Sequence, residues 1–325
     1  MSVRVGVIAA VFAAFTWSLN FLAPFFIADY SLADLAVARF IVSGVVGSII
    51  VLMLRDECLG LSVRDWVVAA ALGFIGYVGY FIVVMISAVF AGPVVPPAFL
   101  GLVPVILAIV GNSYNNERSW ARLAMPLLLA LAGLFLVNVS SIMSAGEGGW
   151  TSEKMGGACV AVMAVLLWTW FGIANQKALA KRPGVNSWIW TSMMMIGGSV
   201  QAIVFIPVGL SLDLFRFGRH DPYSVYALFH LYAPAITLAL VASIAGAWAW
   251  TVASRRLPIT LAGQLLTMEM VFATCFGLLV HKTFPTIFEV CGLAVLLFGV
   301  IKAISAFDKM EADKNISGGR RRVEV

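Results

Sequence analysis

The sequence predicts an all-α integral membrane protein of about ten transmembrane helices, built as two inverted five-helix repeats. Hydrophobic residues make up 62% of the 325 residues and charged residues only 11%, whereas soluble domains contain roughly half and a quarter respectively. Apolar stretches of about 20 residues, the length that crosses a hydrocarbon layer about 30 Å thick, recur along the whole chain. The third observation is a set of spacings that both halves share.

The apolar stretches place the membrane spans with ends uncertain by a few residues. The boundary between the third and fourth spans depends on Gly92, Pro93, Pro96 and Pro97, because a single helix through this region would be far longer than a membrane is thick. We expect spans at 5–27, 32–54, 66–90, 94–112, 121–139, 155–178, 187–209, 228–253, 258–280 and 285–306.

The basic residues predict the orientation of these spans. Arg39 lies inside a span, and the loops on one side hold only Lys154, Arg216, Arg219 and Lys282, while the other Lys and Arg residues fall on the side of the termini. The positive-inside rule therefore puts both termini on the cytoplasmic side of a bacterial inner membrane. The net charge of +5 is scattered through loops, so we expect membrane lipids rather than nucleic acid as surroundings.

The shared spacings predict a duplication. Both halves follow the same order, and a repeat with an odd number of spans inserts in opposite orientations, which is a transporter architecture. The chain then divides into 1–144, 145–307 and a basic cytoplasmic tail at 308–325. Spacings of 11 separate Gly6 from Trp17, Gly157 from Trp168, Pro93 from Pro104 and Pro258 from Glu269, and spacings of 24 separate Pro93 from Glu117 and Pro258 from Lys282.

Short motifs carry a resemblance to a known family. They are Trp17-Ser18-Leu19-Asn20-Phe21, Leu35 to Phe40, Pro104 to Glu117, Trp168-Thr169-Trp170 and Met268-Glu269-Met270. The sequence resembles the EamA-type, ten-helix members of the drug/metabolite transporter superfamily, although Lys282 replaces the second short-loop glutamate. The resemblance implies a secondary carrier that works by alternating access. It also implies export of amino acids or other metabolites, driven by the proton gradient.

Two charged residues inside spans are candidate functional groups. Glu269 lies near the middle of the ninth span, where desolvation favours a neutral carboxyl group that can exchange its proton as water access changes, so it is the proton-coupling candidate. Arg39 lies roughly 10 Å deep in the second span. It either binds a substrate anion or forms a structural ion pair, for which Glu289 has a compatible depth, or extends to the interface.

Polar and aromatic residues on facing helices predict a substrate cavity. The candidates besides Arg39 fall on matching spans of the two halves, and packing is the alternative explanation for each aromatic side chain. Pro104 is a hinge candidate because it interrupts the backbone hydrogen bonds of the fourth span. The candidate substrate-binding residues are Trp17, Asn20, Tyr80, Trp168, Asn175 and Trp250.

Other functions have less support from the sequence. Cys58, Cys159, Cys275 and Cys291 have no paired spacing, so no metal, disulfide or cofactor is expected. No His-Glu-x-x-His, Gly-x-Ser-x-Gly or Walker motif occurs, which disfavours a membrane enzyme and excludes a Walker-type ATPase. A facilitator or an importer of another small metabolite stays open, as does the choice between monomer and weak homodimer.

Overall fold

The computed structural model describes residues 3–92, 95–115, 120–146, 149–219 and 221–323, and within them the chain is helical with no strand. The predicted all-helical fold with about ten spans is confirmed. Among the described residues, nine helices are long and apolar enough to cross a membrane: Val3–Phe25, Leu32–Met53, Val63–Ala91, Val95–Ser113, Ser152–Ala180, Ser187–Ser211, Val225–Arg256, Ile259–Val280 and Ile287–Phe307. The fifth span is Trp120–Gly146, whose apolar part, Leu123–Val139, is shorter.

At both ends of the chain, the secondary structure differs from the sequence prediction. The first span is an α-helix only over Val3–Ser18 and continues as two 3₁₀ segments, Leu19–Phe21 and Ala23–Phe25. The last helix runs from Ile287 to Val323, so the basic tail continues the tenth span as a helix. The predicted short-loop acid, Glu117, lies outside the described residues.

The fourth and ninth spans are each broken into two half-helices. The fourth consists of Val95–Leu100 and Val103–Asn115, and the ninth consists of Ile259–Leu265 and Met268–His281. Each break leaves a turn of two residues between the halves. The backbone N–H groups of both turns are bonded within the chain, Leu102 N to the Phe99 carbonyl oxygen at 2.9 Å and Thr267 N to that of Gln264 at 3.1 Å, as a membrane interior requires.

The third and eighth spans contain π-helical turns, which carry one residue more per turn than an α-helix and often mark functional sites. In the third span the π-turn is Phe74–Val78. In the eighth span the π-turns are Leu228–Tyr232 and Ala239–Gly246. A π-turn rotates the side chains that follow it and loosens the regular backbone bonding.

Small residues let the spans pack closely. A Cβ added at Gly73 would lie 2.4 Å from the Met194 carbonyl oxygen of the seventh span, and one at Gly76 would overlap the Phe171 ring. Similarly, a Cβ at Gly246 would lie 2.4 Å from Thr16 Oγ1 of the first span. Close helix approach of this kind is the usual basis of association inside a membrane.

Polar contacts tie loops together at two opposite faces. On one face Arg182 Nε contacts Asp65 Oδ1 at 2.5 Å and Asn186 bonds to Glu57 at 2.7 Å, so the second-to-third and sixth-to-seventh connections meet. On the other face Asp34 accepts bonds from the Arg216 backbone. We call these the Asp65 face and the Asp34 face, and their grouping matches the alternation of ten spans.

Candidate functional site

A small cavity lies where the broken spans face the first, third and sixth spans. Its volume is about 40 Å³, close to the share of one water molecule in the liquid, about 30 Å³. The lining residues are Phe21, Tyr80, Leu100, Gly101, Val103, Pro104, Trp168, Leu266, Glu269 and Met270. Four predicted site residues, Tyr80, Pro104, Trp168 and Glu269, are therefore brought together.

The Asp65 side of this cavity is closed by the half-helices Val103–Asn115 and Ile259–Leu265, which pack together. A Cβ at Gly263 would lie 3.1 Å from the Pro104 carbonyl oxygen and 3.3 Å from the Ala108 nitrogen. On the Asp34 side the remaining halves separate, because one packs on the sixth span and the other on the first. The two broken helices thus cross tightly on one side of the cavity and diverge on the other.

Glu269 is the second residue of the half-helix Met268–His281 and lines the cavity. In the part of the chain that the structure describes, its carboxyl group has no hydrogen-bond or ion-pair partner. The N–H groups at this helix start are bonded within the chain, Glu269 N to the Leu266 carbonyl oxygen at 2.9 Å and Met270 N to that of Thr267 at 3.1 Å. Burial opposes a charged carboxylate, so the protonation of Glu269 depends on the hydration of the cavity.

Arg39 is almost fully buried, with 6% of its surface exposed. Its Nε donates to Ser243 Oγ at 2.8 Å and its Nη1 donates to Asn20 Oδ1 at 2.6 Å. It forms no ion pair with any described residue. The expected partnership with Glu289 is wrong, because that carboxylate instead accepts bonds from Thr286 and caps the start of the tenth span.

Two irregular stretches of backbone place the partners of Arg39. Asn20 lies in the 3₁₀ segment Leu19–Phe21, where its side-chain nitrogen also donates to the Trp17 carbonyl oxygen at 2.8 Å. Ser243 lies in the π-turn Ala239–Gly246. Since the amide of Asn20 and the hydroxyl of Ser243 accept from the guanidinium, residues of the first and eighth spans hold the arginine in one orientation.

Trp17, Trp168 and Trp250 form an aromatic cluster beside this network. Their ring centroids are 5.4 to 5.8 Å apart, within the range of favourable aromatic pairing. Trp17 donates from Nε1 to the Ala242 carbonyl oxygen of the π-turn at 3.0 Å. Only Trp168 lines the cavity, whereas Trp250 is fully buried and its Nε1 has no partner among the described residues.

Asn175 differs from its predicted position in the substrate cavity. It is fully buried, and its Oδ1 accepts a bond from Trp190 Nε1 of the seventh span at 2.9 Å. It does not line the cavity in this conformation. Trp168, Phe171 and Asn175 keep helical spacing along the sixth span, but Phe171 packs on Tyr77 of the third span and Asn175 bonds to the seventh.

Pro104 also acts differently from the prediction of a break in a continuous helix. The break precedes it, at Gly101–Leu102, and Pro104 is the second residue of the next half-helix. Proline is tolerated in a first turn because its missing N–H would have no helical partner there. The proline therefore fixes where the second half begins.

Sequence reasoning missed several residues of the site. Leu266 and Met270 line the cavity because of a break that no glycine or proline announces. Ser243 was not among the predicted site residues, and its contact with Arg39 spans 204 positions in sequence. A polar residue inside an apolar span was the only local signal for it.

The fold and cavity define the chain as a multi-pass helical membrane protein. In comparisons with known proteins, the chain is similar to inner membrane protein YtfF of Escherichia coli strain K12, with 24% identity over 96% of this chain and 98% of the relative. A solved structure described as "Crystal structure of protein" matches with a TM-score of 0.74 and 18% identity, over 94% of this chain and 98% of that one. No protein-family profile matches. The structural likeness shows a shared fold.

Proposed function

We propose that the protein is a secondary active transporter of the drug/metabolite transporter superfamily, EamA type, in a bacterial inner membrane. The similarity to an inner membrane protein and the ten-span fold support this assignment. In this proposal the Asp65 face is cytoplasmic, residues 1–144 and 145–307 are inverted repeats, and a small metabolite such as an amino acid is exported. A proton gradient supplies the energy.

The observation that carries the proposal is Glu269, an unpartnered carboxyl group at a helix break inside a cavity. A purely structural carboxyl group in a membrane span would be bonded to a neighbour, because an unsatisfied polar group is costly there. Glu269 instead faces space that water or substrate can enter. It can therefore take up and release a proton as the cavity changes its accessibility.

The broken spans supply the movement. A cavity of about 40 Å³ is too small for an amino acid, so substrate entry requires its walls to separate. Half-helices can tilt about the turns at Gly101–Leu102 and 266–267 without straining a continuous helix. Opening of the tight crossing on the Asp65 side, with closure on the Asp34 side, would complete alternating access.

The test is flux in liposomes that contain the purified full-length protein, using a labelled amino-acid and metabolite panel. We expect saturable flux that accelerates at least about tenfold under an imposed pH gradient, which corresponds to about 1.4 kcal/mol of activation free energy. Glu269→Gln should remove this acceleration. The matched control is Glu153→Gln, which changes an exposed acid in the first turn of the sixth span.

Three outcomes would contradict parts of this proposal. Saturable flux that ignores the gradient in the wild-type protein would indicate a facilitator. Equal acceleration in the wild-type and Glu269→Gln proteins would remove Glu269 from the coupling mechanism. Absence of saturable flux for the whole panel would contradict the amino-acid assignment.

A further inference from the structure

We propose that Arg39 is an anion-binding group beside the cavity and that the transported molecule carries a carboxylate. This inference rests on the proposed transport function and names the chemical class of its substrate. The observation behind it is a buried guanidinium that the protein orients with neutral partners and leaves without a carboxylate.

The charge of Arg39 is the first step of the argument. Moving an arginine into a membrane interior costs several kcal/mol unless an opposite charge or water compensates it. Ser243 and Asn20 satisfy two of its N–H groups but carry no charge. Asp34 lies at the Asp34 face, where its carboxylate accepts hydrogen bonds from the backbone N–H groups of Arg216 and Phe217. Within the described residues, the positive charge therefore has no anion of its own.

The orientation of the guanidinium is the second step. Nε and Nη1 are both hydrogen-bonded, so the side chain cannot rotate freely. Nη2 makes no bond to any described residue, and it is not among the fully buried polar atoms that lack a partner. After its bond to Asn20, Nη1 keeps one N–H donor and Nη2 keeps both, so the guanidinium retains donors for two further bonds. Paired N–H donors at this spacing match the two oxygens of a carboxylate.

The third step places this group next to the cavity. Asn20, which holds Nη1, directly precedes the lining residue Phe21. Tyr80 also lines the cavity and interacts electrostatically with both Arg39 and Glu269. Its hydroxyl has no hydrogen-bond partner among the described residues. An anion held by Arg39 would therefore leave the rest of a substrate within the cavity, against Tyr80 and Trp168.

A carboxylate fits better than a phosphate ester for reasons of charge. A phosphate monoester carries close to two negative charges at neutral pH, and the described residues place only Arg39 as a cation beside this cavity. One guanidinium balances one carboxylate. The aromatic cluster next to it suits an apolar or flat substituent on the same molecule.

The experiment measures equilibrium binding of matched acid and amide pairs to the full-length protein in a detergent free of anionic lipid. The pairs are acetate and acetamide, phenylacetate and phenylacetamide, and indole-3-acetate and indole-3-acetamide, which differ mainly in charge. Protein tryptophan fluorescence reports binding for the first two pairs, because Trp17, Trp168 and Trp250 lie beside the site. Calorimetry reports it for the indole pair.

We expect at least one acid to bind about tenfold or more tightly than its amide in the wild-type protein. Arg39→Gln should equalise that pair. Arg39→Lys should give an intermediate preference, because it keeps the charge and loses the paired donors. Ser243→Ala should weaken acid binding several-fold through looser positioning. Arg64→Gln, which removes an exposed arginine from the start of the third span, should change nothing.

Three results would overturn the inference. One is the lack of acid preference in all three pairs. Another is an unchanged preference in Arg39→Gln or, if that variant is not monodisperse, in Arg39→Lys. The third is an Arg39-dependent response to added phosphatidylglycerol that the acids do not displace, which would mean a lipid site. Acid preference without flux in liposomes would instead contradict the transport function and leave the anion site standing.

Discussion

The fourth and ninth spans have the same architecture and different chemistry. Each is broken by a two-residue turn, and 165 residues separate both Gly101 from Leu266 and Pro104 from Glu269. In the fourth span the first turn after the break holds a proline, and in the ninth it holds an acid. The comparison indicates that the break does not depend on a titratable group, because only the ninth span carries one in the first turn after its break.

The largest predicted effect of the difference between the fourth and ninth spans is on substrate flux in liposomes. Pro104→Ala supplies an N–H that can donate to the Leu100 carbonyl oxygen and extend one helix through the break. We expect flux in liposomes to fall several-fold while the response to a pH gradient persists, because Glu269 is retained. Pro207→Ala, in the seventh span and exposed, is the control and should retain wild-type flux. Loss of the pH response in Pro104→Ala would show that the two breaks do not have separate roles.

A second prediction separates the two halves of the ninth span by stability. Gly263→Ala places a methyl group 3.1 Å from a backbone oxygen of the fourth span, so we expect destabilisation by about 1–2 kcal/mol. Gly277→Ala, in the other half, meets nothing within 4 Å and should stabilise by about 0.5–1 kcal/mol through helix propensity. Thermal or denaturant unfolding in detergent measures both. Equal effects would mean that the crossing on the Asp65 side is not tighter than the Asp34 side.

The smallest predicted effect is a difference in stability between two variants of the aromatic cluster. Trp17→Phe removes the bond to the Ala242 carbonyl oxygen and should cost about 1 kcal/mol or slightly more, because a buried acceptor loses its partner. Trp250→Phe removes an N–H that has no partner and should cost less, since only ring volume changes. Unfolding in the same detergent checks the order. A larger loss for Trp250→Phe would indicate that its indole nitrogen has a role in another conformation.

The sequence predicted the class of fold well because membrane helices need long apolar runs, which composition reveals directly. It flagged Pro104 but not the break at Leu266–Thr267, since tertiary contacts rather than local residues interrupt that helix. It selected Arg39 and Glu269 because charges in apolar spans are conspicuous. It misassigned Glu289 and placed Asn175 in the cavity, because helical spacing shows which residues share a face and not which helix that face meets.

The π-turns carry a consequence for the history of the chain. Phe74 and Ala239, where the π-turns Phe74–Val78 and Ala239–Gly246 begin, are also 165 residues apart. A π-turn is one extra residue in an α-helix, so two independent insertions at one register would be a coincidence. On the proposed duplication of a five-helix unit, we infer that one insertion preceded the doubling and accounts for both turns. An ancestral-type relative encoded as two separate half-length chains, with the π-turn in only one of them, would contradict this order of events.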